Sequence, residues 1–108
     1  MDSEKVRTLW DYKDGCLHWK IRPAIKIRVG DKAGCANKAG YLMVKYKGNN
    51  YYIHRLVWLW HGKELITGHH IDHIDHDKTN NKIENLQQIS PADNYRRRPY
   101  VQLAKNKK

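Results

Sequence analysis

The sequence lacks several features that would place it in common protein classes. Its 108 residues include no phenylalanine, three prolines and two cysteines. Cys16 and Cys35 are too few for a disulfide framework or a four-cysteine zinc site, so two reduced thiols are the favoured interpretation. No stretch approaches the ~18 consecutive apolar residues of a membrane span, and the first residues contain no apolar signal core. We therefore expect a cytoplasmic protein without a membrane partner.

Aromatic residues and positive charge are abundant instead. Four tryptophans and seven tyrosines take the place of phenylalanine, and the length fits a single domain of about 100–150 residues. The formal net charge is +10 and the sequence pI is about 9.7. A charge of this size on so small a chain predicts an anionic partner, and nucleic acid is the favoured candidate.

The positive charge is unevenly distributed. Residues 20–47 and 96–108 hold 14 of the 21 lysines and arginines, with Asp31 as their sole acid. Residues 70–94 hold five acids and two lysines. A pure DNA binder gains nothing from an acidic patch, whereas a nuclease needs one to hold a cation against phosphate. The candidate DNA contacts are Arg22, Lys26, Arg28, Arg55, Arg96, Arg97 and Arg98. Solvated loops, a solvated tail and, for Arg55, an internal ion pair are the alternatives.

Local patterns predict a small mixed α+β domain of β-hairpins and short helices. Ser3 is the expected cap of the first helix, and Ser90 with Pro91 is expected to open the last one. The predicted elements are a helix over 3–12, strands over 16–20, 41–46 and 51–54, a helix over 55–61, strands over 70–74 and 86–89, and a polar loop over 75–81 between the last two strands.

Five of the seven histidines lie between positions 61 and 76, in a stretch that also holds Asp72 and Asp75 and is followed by Asp77. Histidine transfers protons near neutral pH, and carboxylates bind hard divalent cations. For any one histidine taken alone, a surface polar role is the favoured alternative. A zinc site at His70, His73 and His76 is disfavoured, because three-residue spacing aligns side chains on a helix and not on a strand.

A longer pattern of polar residues carries the functional prediction. Asp72-His73 is followed by Asn85 twelve residues after His73 and by Asn94 nine residues further on. This pattern resembles the HNH endonuclease family, whose fold is the ββα-metal motif, and in particular its phage and intron-encoded homing subgroup, in which Asn replaces the last His. The upstream YYIHRLVW resembles the segment before the motif. The resemblance covers residues 41–95, with 1–40 as a basic N-terminal extension and 96–108 as a basic tail of one domain.

The resemblance implies a role for each motif residue. His73 is the expected general base, and Asn85 is a structural residue that bridges the long loop and holds the ring of His73. Asp72 and Asn94 are the expected ligands of one divalent metal ion, Mg²⁺ or Mn²⁺. Neighbours on a regular strand point to opposite faces, so Asp72 and His73 can share a site only if the strand twists, bulges or ends there.

The lead hypothesis is thus a metal-dependent endonuclease that hydrolyses phosphodiester bonds in double-stranded DNA, with a nickase as one form. A monomer would nick and a homodimer could cut both strands. In a phage setting the expected location is the cytoplasm of the bacterial host. The alternatives are a non-catalytic basic DNA-binding module and a zinc-stabilised structural domain.

Overall fold

A computed structural model describes residues 1–92 of the chain. The predicted class, a small mixed domain of antiparallel hairpins and short helices, is confirmed. The elements are α1 (Ser3–Leu9), β1 (Trp10–Lys13), β2 (Cys16–Trp19), β3 (Cys35–Ala36), β4 (Leu42–Tyr46), β5 (Asn49–Tyr52), α2 (Ile53–Trp60), β6 (His70–His73), a 3-10 turn (Ile83–Asn85) and β7 (Leu86–Ile89).

The first helix begins and ends differently from the prediction. Asp2, not Ser3, is its N-cap, and the Asp2 side chain accepts a hydrogen bond from the backbone N–H of Lys5 at 2.8 Å. The helix ends at Leu9 because Trp10 is extended and begins β1, a strand that the sequence patterns did not predict. Strand β1 pairs antiparallel with β2, opposite the predicted strand.

The hydrophobic core lies between this hairpin and the two helices. Trp10, Leu17 and Val57 are fully buried, and the rings of Trp10 and Trp19 lie 5.0 Å apart between centroids. The indole N–H of Trp60 donates to the backbone carbonyl of Trp10 at 3.0 Å, which ties α2 to β1. Burial of large aromatic surfaces stabilises such a core in the absence of phenylalanine.

The middle sheet leads directly into α2. Strands β3, β4 and β5 are antiparallel neighbours in that order, and β5 ends where α2 begins at Ile53, two residues before the predicted start. Gly62, with φ of +78°, follows the helix as expected for a residue that stops it. The earlier start places His54 in the first turn of α2, where its ring is buried.

Strands β6 and β7 form the last hairpin. They pair antiparallel from His70 opposite Ile89 to His73 opposite Leu86. Helical conformation starts at Pro91, as predicted, and its continuation lies outside the described residues. Within residues 1–92, no helix combines the length and the apolar character required to cross a bilayer.

Candidate active site

The predicted metal ligand Asp72 and the predicted base His73 lie at the end of β6. The strand stops at His73, and the chain then turns through His76, which adopts a positive φ of 65°. Asp72 and His73 both line a cleft of about 390 Å³, together with Arg55 from the start of α2 and His69 from the segment before β6. The strand ends at His73, and an end of the strand is one of the conditions under which the two neighbours can share a site.

The imidazole of His73 is buried and held from several sides. Its Nε2 lies 2.7 Å from Oδ1 of Asn81. The ring of His54 packs edge-on against it with centroids 4.8 Å apart, and the ring of Tyr41 lies 6.1 Å away. His73 is 4 % exposed, so its position is fixed by packing as well as by the hydrogen bond.

His54 is a second buried histidine in the same cleft. Burial, followed by the charges of His73 and Arg55, lowers the pKa of His54 from 6.5 to about 3. A neutral ring at this position packs against His73 without repelling a proton that His73 acquires. Nδ1 of His54 has no hydrogen-bond partner in the described part of the chain.

Asn85 organises the loop that connects the two strands, residues 74–85, called here the site loop. Its Nδ2 donates to Oδ1 of Asp75 at 2.9 Å and to the backbone carbonyl of Asn80 at 2.8 Å. Its Oδ1 accepts from the backbone N–H of Asp75 at 3.1 Å. The bridging geometry expected of Asn85 is therefore present, but the side-chain contact with the ring of His73 comes from Asn81 instead.

Asp75 is the second anchor of the site loop. Its carboxylate accepts hydrogen bonds from the side chain of Asn80, the backbone N–H of Asp77 and the side chain of Asn85. These bonds, that from Asn80 first, hold the pKa of Asp75 below its ordinary value. Asp75 therefore acts within the loop as an acceptor for three donors.

Asp72 lines the cleft and is half-buried. Its Oδ2 accepts a hydrogen bond from Nε2 of Gln87 at 3.1 Å. Among residues 1–92, no group of three or more His, Cys, Asp or Glu side chains is placed to hold a metal ion. The donor set therefore does not form the closed zinc site considered for His70, His73 and His76. One hard oxygen ligand beside a cleft suits Mg²⁺ or Mn²⁺, which retain waters and take substrate oxygens.

The predicted DNA contacts are described only in part. Arg55 is exposed at the cleft, and Arg22, Lys26 and Arg28 are exposed on the loop between β2 and β3. The other predicted residues lie outside the described part of the chain. These are Asn94, Arg96, Arg97 and Arg98.

Sequence patterns do not reveal the roles of two further site residues. They indicate Asn81 only as the last residue of the polar loop predicted over 75–81, and His54 only as the last residue of the strand predicted over 51–54. Asn81 is 1 % exposed, which no local pattern in a polar loop predicts. A signal for His54 is present in the sequence, because YYIHRLVW resembles the segment that precedes the motif in the family. In the structure, His54 lines the cleft.

Comparison with known proteins agrees with this geometry. The family model described as HNH endonuclease matches residues 51–96. YosQ of Bacillus subtilis (strain 168), a candidate HNH homing endonuclease derived from the SPbeta prophage, is 38 % identical over 60 residues, covering 51 % of this chain and 35 % of YosQ. The solved structure of the HNH homing endonuclease I-HmuI, described for DNA binding and cleavage, matches with a TM-score of 0.66 and 22 % identity.

Asp72 and His73 therefore lie at the end of β6, in the β6–β7 hairpin of this fold. The match of residues 51–96 to the HNH endonuclease model confirms the resemblance seen in the sequence. The match to I-HmuI covers 97 % of this chain and 57 % of I-HmuI, and it supports the fold. The chain spans less than two thirds of either relative.

Proposed function

We propose that this chain is a metal-dependent DNA endonuclease that hydrolyses phosphodiester bonds in double-stranded DNA. The observation that carries the proposal is the meeting of Asp72 and His73 in one cleft, inside the segment that matches the HNH endonucleases. A carboxylate for a cation and an imidazole for a proton are the two groups that this hydrolysis requires.

His73 acts as the general base. It takes a proton from the attacking water, and the buried, hydrogen-bonded ring keeps its orientation while the water approaches from the cleft. His54 stays neutral at physiological pH and so places no fixed charge beside the developing imidazolium. Asn85 keeps the site loop closed around this ring without contacting substrate.

Asp72 and Asn94 hold the divalent cation in this proposal. A bound Mg²⁺ or Mn²⁺ supplies neutralisation of negative charge on the phosphate and on the departing 3′ oxygen. Gln87 orients the carboxylate of Asp72 by donating to one of its oxygens. The role of the chain is therefore to present a fixed carboxylate beside a fixed base.

Cationic side chains bring the DNA backbone to this cleft. Arg55 is exposed beside Asp72 and His73 and is suited to a phosphate oxygen there. Arg22, Lys26, Arg28 and the arginines at 96–98 extend the basic surface. One site per chain means that a monomer nicks one strand, whereas a homodimer could cut both. The phage-type relative favours action in the cytoplasm of a bacterial host.

Incubation of supercoiled plasmid with the protein and Mg²⁺ or Mn²⁺ tests the proposal. We expect nicked product from the wild type and a fall of about 100-fold or more in His73→Ala, because a general base contributes roughly 10²- to 10⁴-fold. DNA affinity is expected to change much less, since phosphate contacts set binding.

His76→Ala is the matched control, because His76 is an exposed histidine in the site loop, three residues after His73. It should cut DNA at the wild-type rate. If neither the wild type nor His73→Ala gives product, and DNA binding survives EDTA, the protein is a non-catalytic DNA-binding module and not an endonuclease. Equal losses of affinity and cleavage in His73→Ala would make His73 a DNA contact.

The basic loop makes a separate, quantitative prediction. Replacing Arg22, Lys26 and Arg28 together by Ala should weaken binding to unrelated DNA sequences alike. The slope of log K against log salt is negative. For each phosphate that the variant no longer neutralises, this slope should become less negative by about 0.9. Affinities measured by fluorescence anisotropy at several salt concentrations give this slope directly.

The control for the loop replaces Lys5, Lys13 and Lys63 by Ala, which removes the same charge from exposed positions elsewhere. That variant should lose affinity through long-range charge alone and keep the wild-type slope. Equal slopes for the two triple variants would remove the loop from the DNA interface.

A further inference from the structure

The contact between His73 and Asn81 constrains where the imidazole carries its proton. Nε2 of His73 lies 2.7 Å from Oδ1 of Asn81, and both residues are more than nine-tenths buried. An amide oxygen only accepts hydrogen bonds, and a neutral imidazole has one N–H and one lone pair. With Oδ1 of Asn81 facing the ring, Nε2 carries the hydrogen, which leaves the lone pair on Nδ1.

We propose that Asn81 is a positioning residue that fixes His73 in the Nε2–H tautomer and so makes Nδ1 the atom that accepts the proton from water. This inference rests on the proposed function and adds the atom at which the proton is taken. Asn81 acts through His73 and needs no contact with DNA.

The surroundings of Asn81 explain how one amide can fix a ring. The hairpin turn at Gly15 lies directly against the chain here, because a Cβ added at Gly15 would be 2.7 Å from the backbone N of Lys82 and 3.0 Å from the carbonyl carbon of Asn81. One residue further on, the backbone N–H of Ile83 donates to the hydroxyl of Tyr12 at 3.0 Å. The β1–β2 hairpin thus supports the backbone that carries Asn81.

The preceding residue is held through its backbone. The backbone carbonyl of Asn80 accepts from Nδ2 of Asn85, a contact that does not depend on the side chain of Asn80. His54 packs edge-on against the imidazole, with ring centroids 4.8 Å apart, and so restricts rotation of the ring. Asn81 is therefore a fixed acceptor facing a fixed ring.

The opposite orientation of the amide would reverse the assignment. If Nδ2 of Asn81 donated to Nε2, the hydrogen of His73 would move to Nδ1 and the base atom would change. In the structure Nδ2 has no hydrogen-bond partner among residues 1–92 while Oδ1 faces the ring. The two arrangements differ in which nitrogen is protonated, and that difference is measurable.

NMR of the wild-type protein with ¹⁵N-labelled histidine measures the tautomer directly. Long-range ¹H–¹⁵N spectra of the metal-free protein above the titration range of the ring should show His73 with a protonated Nε2 and an unprotonated Nδ1. The His73 signals are assigned by their absence in His73→Gln. A protonated Nδ1, or the mixture found in free histidine, would overturn the inference.

Variants then connect the tautomer to cleavage. Asn81→Leu removes the acceptor at similar volume, and we expect a mixed tautomer together with a fall in kcat of about 10- to 100-fold at unchanged KM for DNA. Asn81→Asp keeps an acceptor at the same place and should retain the Nε2–H tautomer and most of kcat. Asn80→Ala is the control in the neighbouring position, which loosens the loop but leaves the tautomer as in the wild type.

The outcomes separate this inference from the proposed function. A folded Asn81→Leu with the wild-type kcat, or an Asn80→Ala variant that alters the tautomer equally, would overturn the role of Asn81. If Asn81→Leu does not fold, the tautomer of the wild-type protein and the tautomer and kcat of Asn81→Asp test the role of Asn81. A wild-type protein that cuts no DNA but shows the Nε2–H tautomer refutes the nuclease and leaves the contact intact.

Discussion

In the core around Trp10, large apolar side chains pack against one another, whereas in the site loop short polar side chains bond to one another and to the backbone. Trp10, Leu17 and Val57 are fully buried and depend on contact area. Asp75 and Asn85 instead close the loop through directed hydrogen bonds. Apolar packing depends on the area in contact and little on the direction of each contact. A hydrogen-bonded network depends on the position of every donor and acceptor.

The difference extends to unsatisfied groups. Four buried side-chain nitrogens lack partners within residues 1–92, and three of them belong to His54, His69 and Asn81, in the cleft or in contact with it. The fourth is the indole nitrogen of Trp10. Buried polar groups without partners cost stability and are expected to cluster at functional sites. The packing of the core thus stabilises the fold, whereas the buried unpaired groups near the cleft lower stability while the site keeps its arrangement of side chains.

The largest expected effect comes from the core. Trp10→Ala should lower the free energy of unfolding by about 3–5 kcal/mol, which is a large part of the roughly 5–15 kcal/mol of a typical domain. Urea denaturation followed by tryptophan fluorescence measures this loss. Trp10→Phe keeps a ring and removes the unpartnered N–H, so it should cost less. Equal losses in both variants would mean that ring packing is not what stabilises the core.

An intermediate effect is expected where the two regions meet. Gly15 has φ of +84°, and an added Cβ would lie 2.7 Å from the backbone of Lys82. Gly15→Ala should therefore cost about 1–3 kcal/mol through strain and displace the segment that carries Asn81. We expect a reduced cleavage rate in the fraction that remains folded, measured in the plasmid assay.

Gly48→Ala provides the matched control, because Gly48 also has positive φ in a hairpin turn but its Cβ would meet no atom within 4 Å. It should show the backbone strain without the loss of cleavage. If Gly48→Ala and Gly15→Ala reduced cleavage equally, the hairpin turn would not support the site.

The sequence predicts the strand that carries Asp72 and His73, but it does not predict which side chains they contact. Both residues lie within the strand predicted over 70–74, as found, because alternation along a strand is local in sequence. The contact between His73 and Asn81 joins two buried side chains through a turn with positive φ at His76, and no periodic pattern encodes it.

Elements of the fold divide in the same way. Strand β7 has the bounds that the sequence predicts, because alternation and flanking turns define it. The helix predicted over 3–12 is wrong beyond Leu9, since Leu9 and Trp10 fit helical spacing and only pairing with β2 makes Trp10 extended. The capping by Asp2 instead of Ser3 is a shift of one residue, which tertiary context decides.

The effect that is smallest at neutral pH is a change in how stability depends on pH. Because the pKa of His54 is lowered from 6.5 to about 3, the unfolded chain binds a proton in this range that the folded chain does not. The contribution of neutral His54 to the free energy of unfolding is fully present above pH 6.5. It is lost as the pH falls towards 3, by at most about 1.4 kcal/mol per pH unit. Urea unfolding at pH 7, 6, 5 and 4 should show a shallower fall in His54→Leu than in the wild type, and His76→Ala should follow the wild type. Parallel curves for wild type and His54→Leu would show that His54 takes up its proton in the folded cleft, so that the site would tolerate a second charge beside His73.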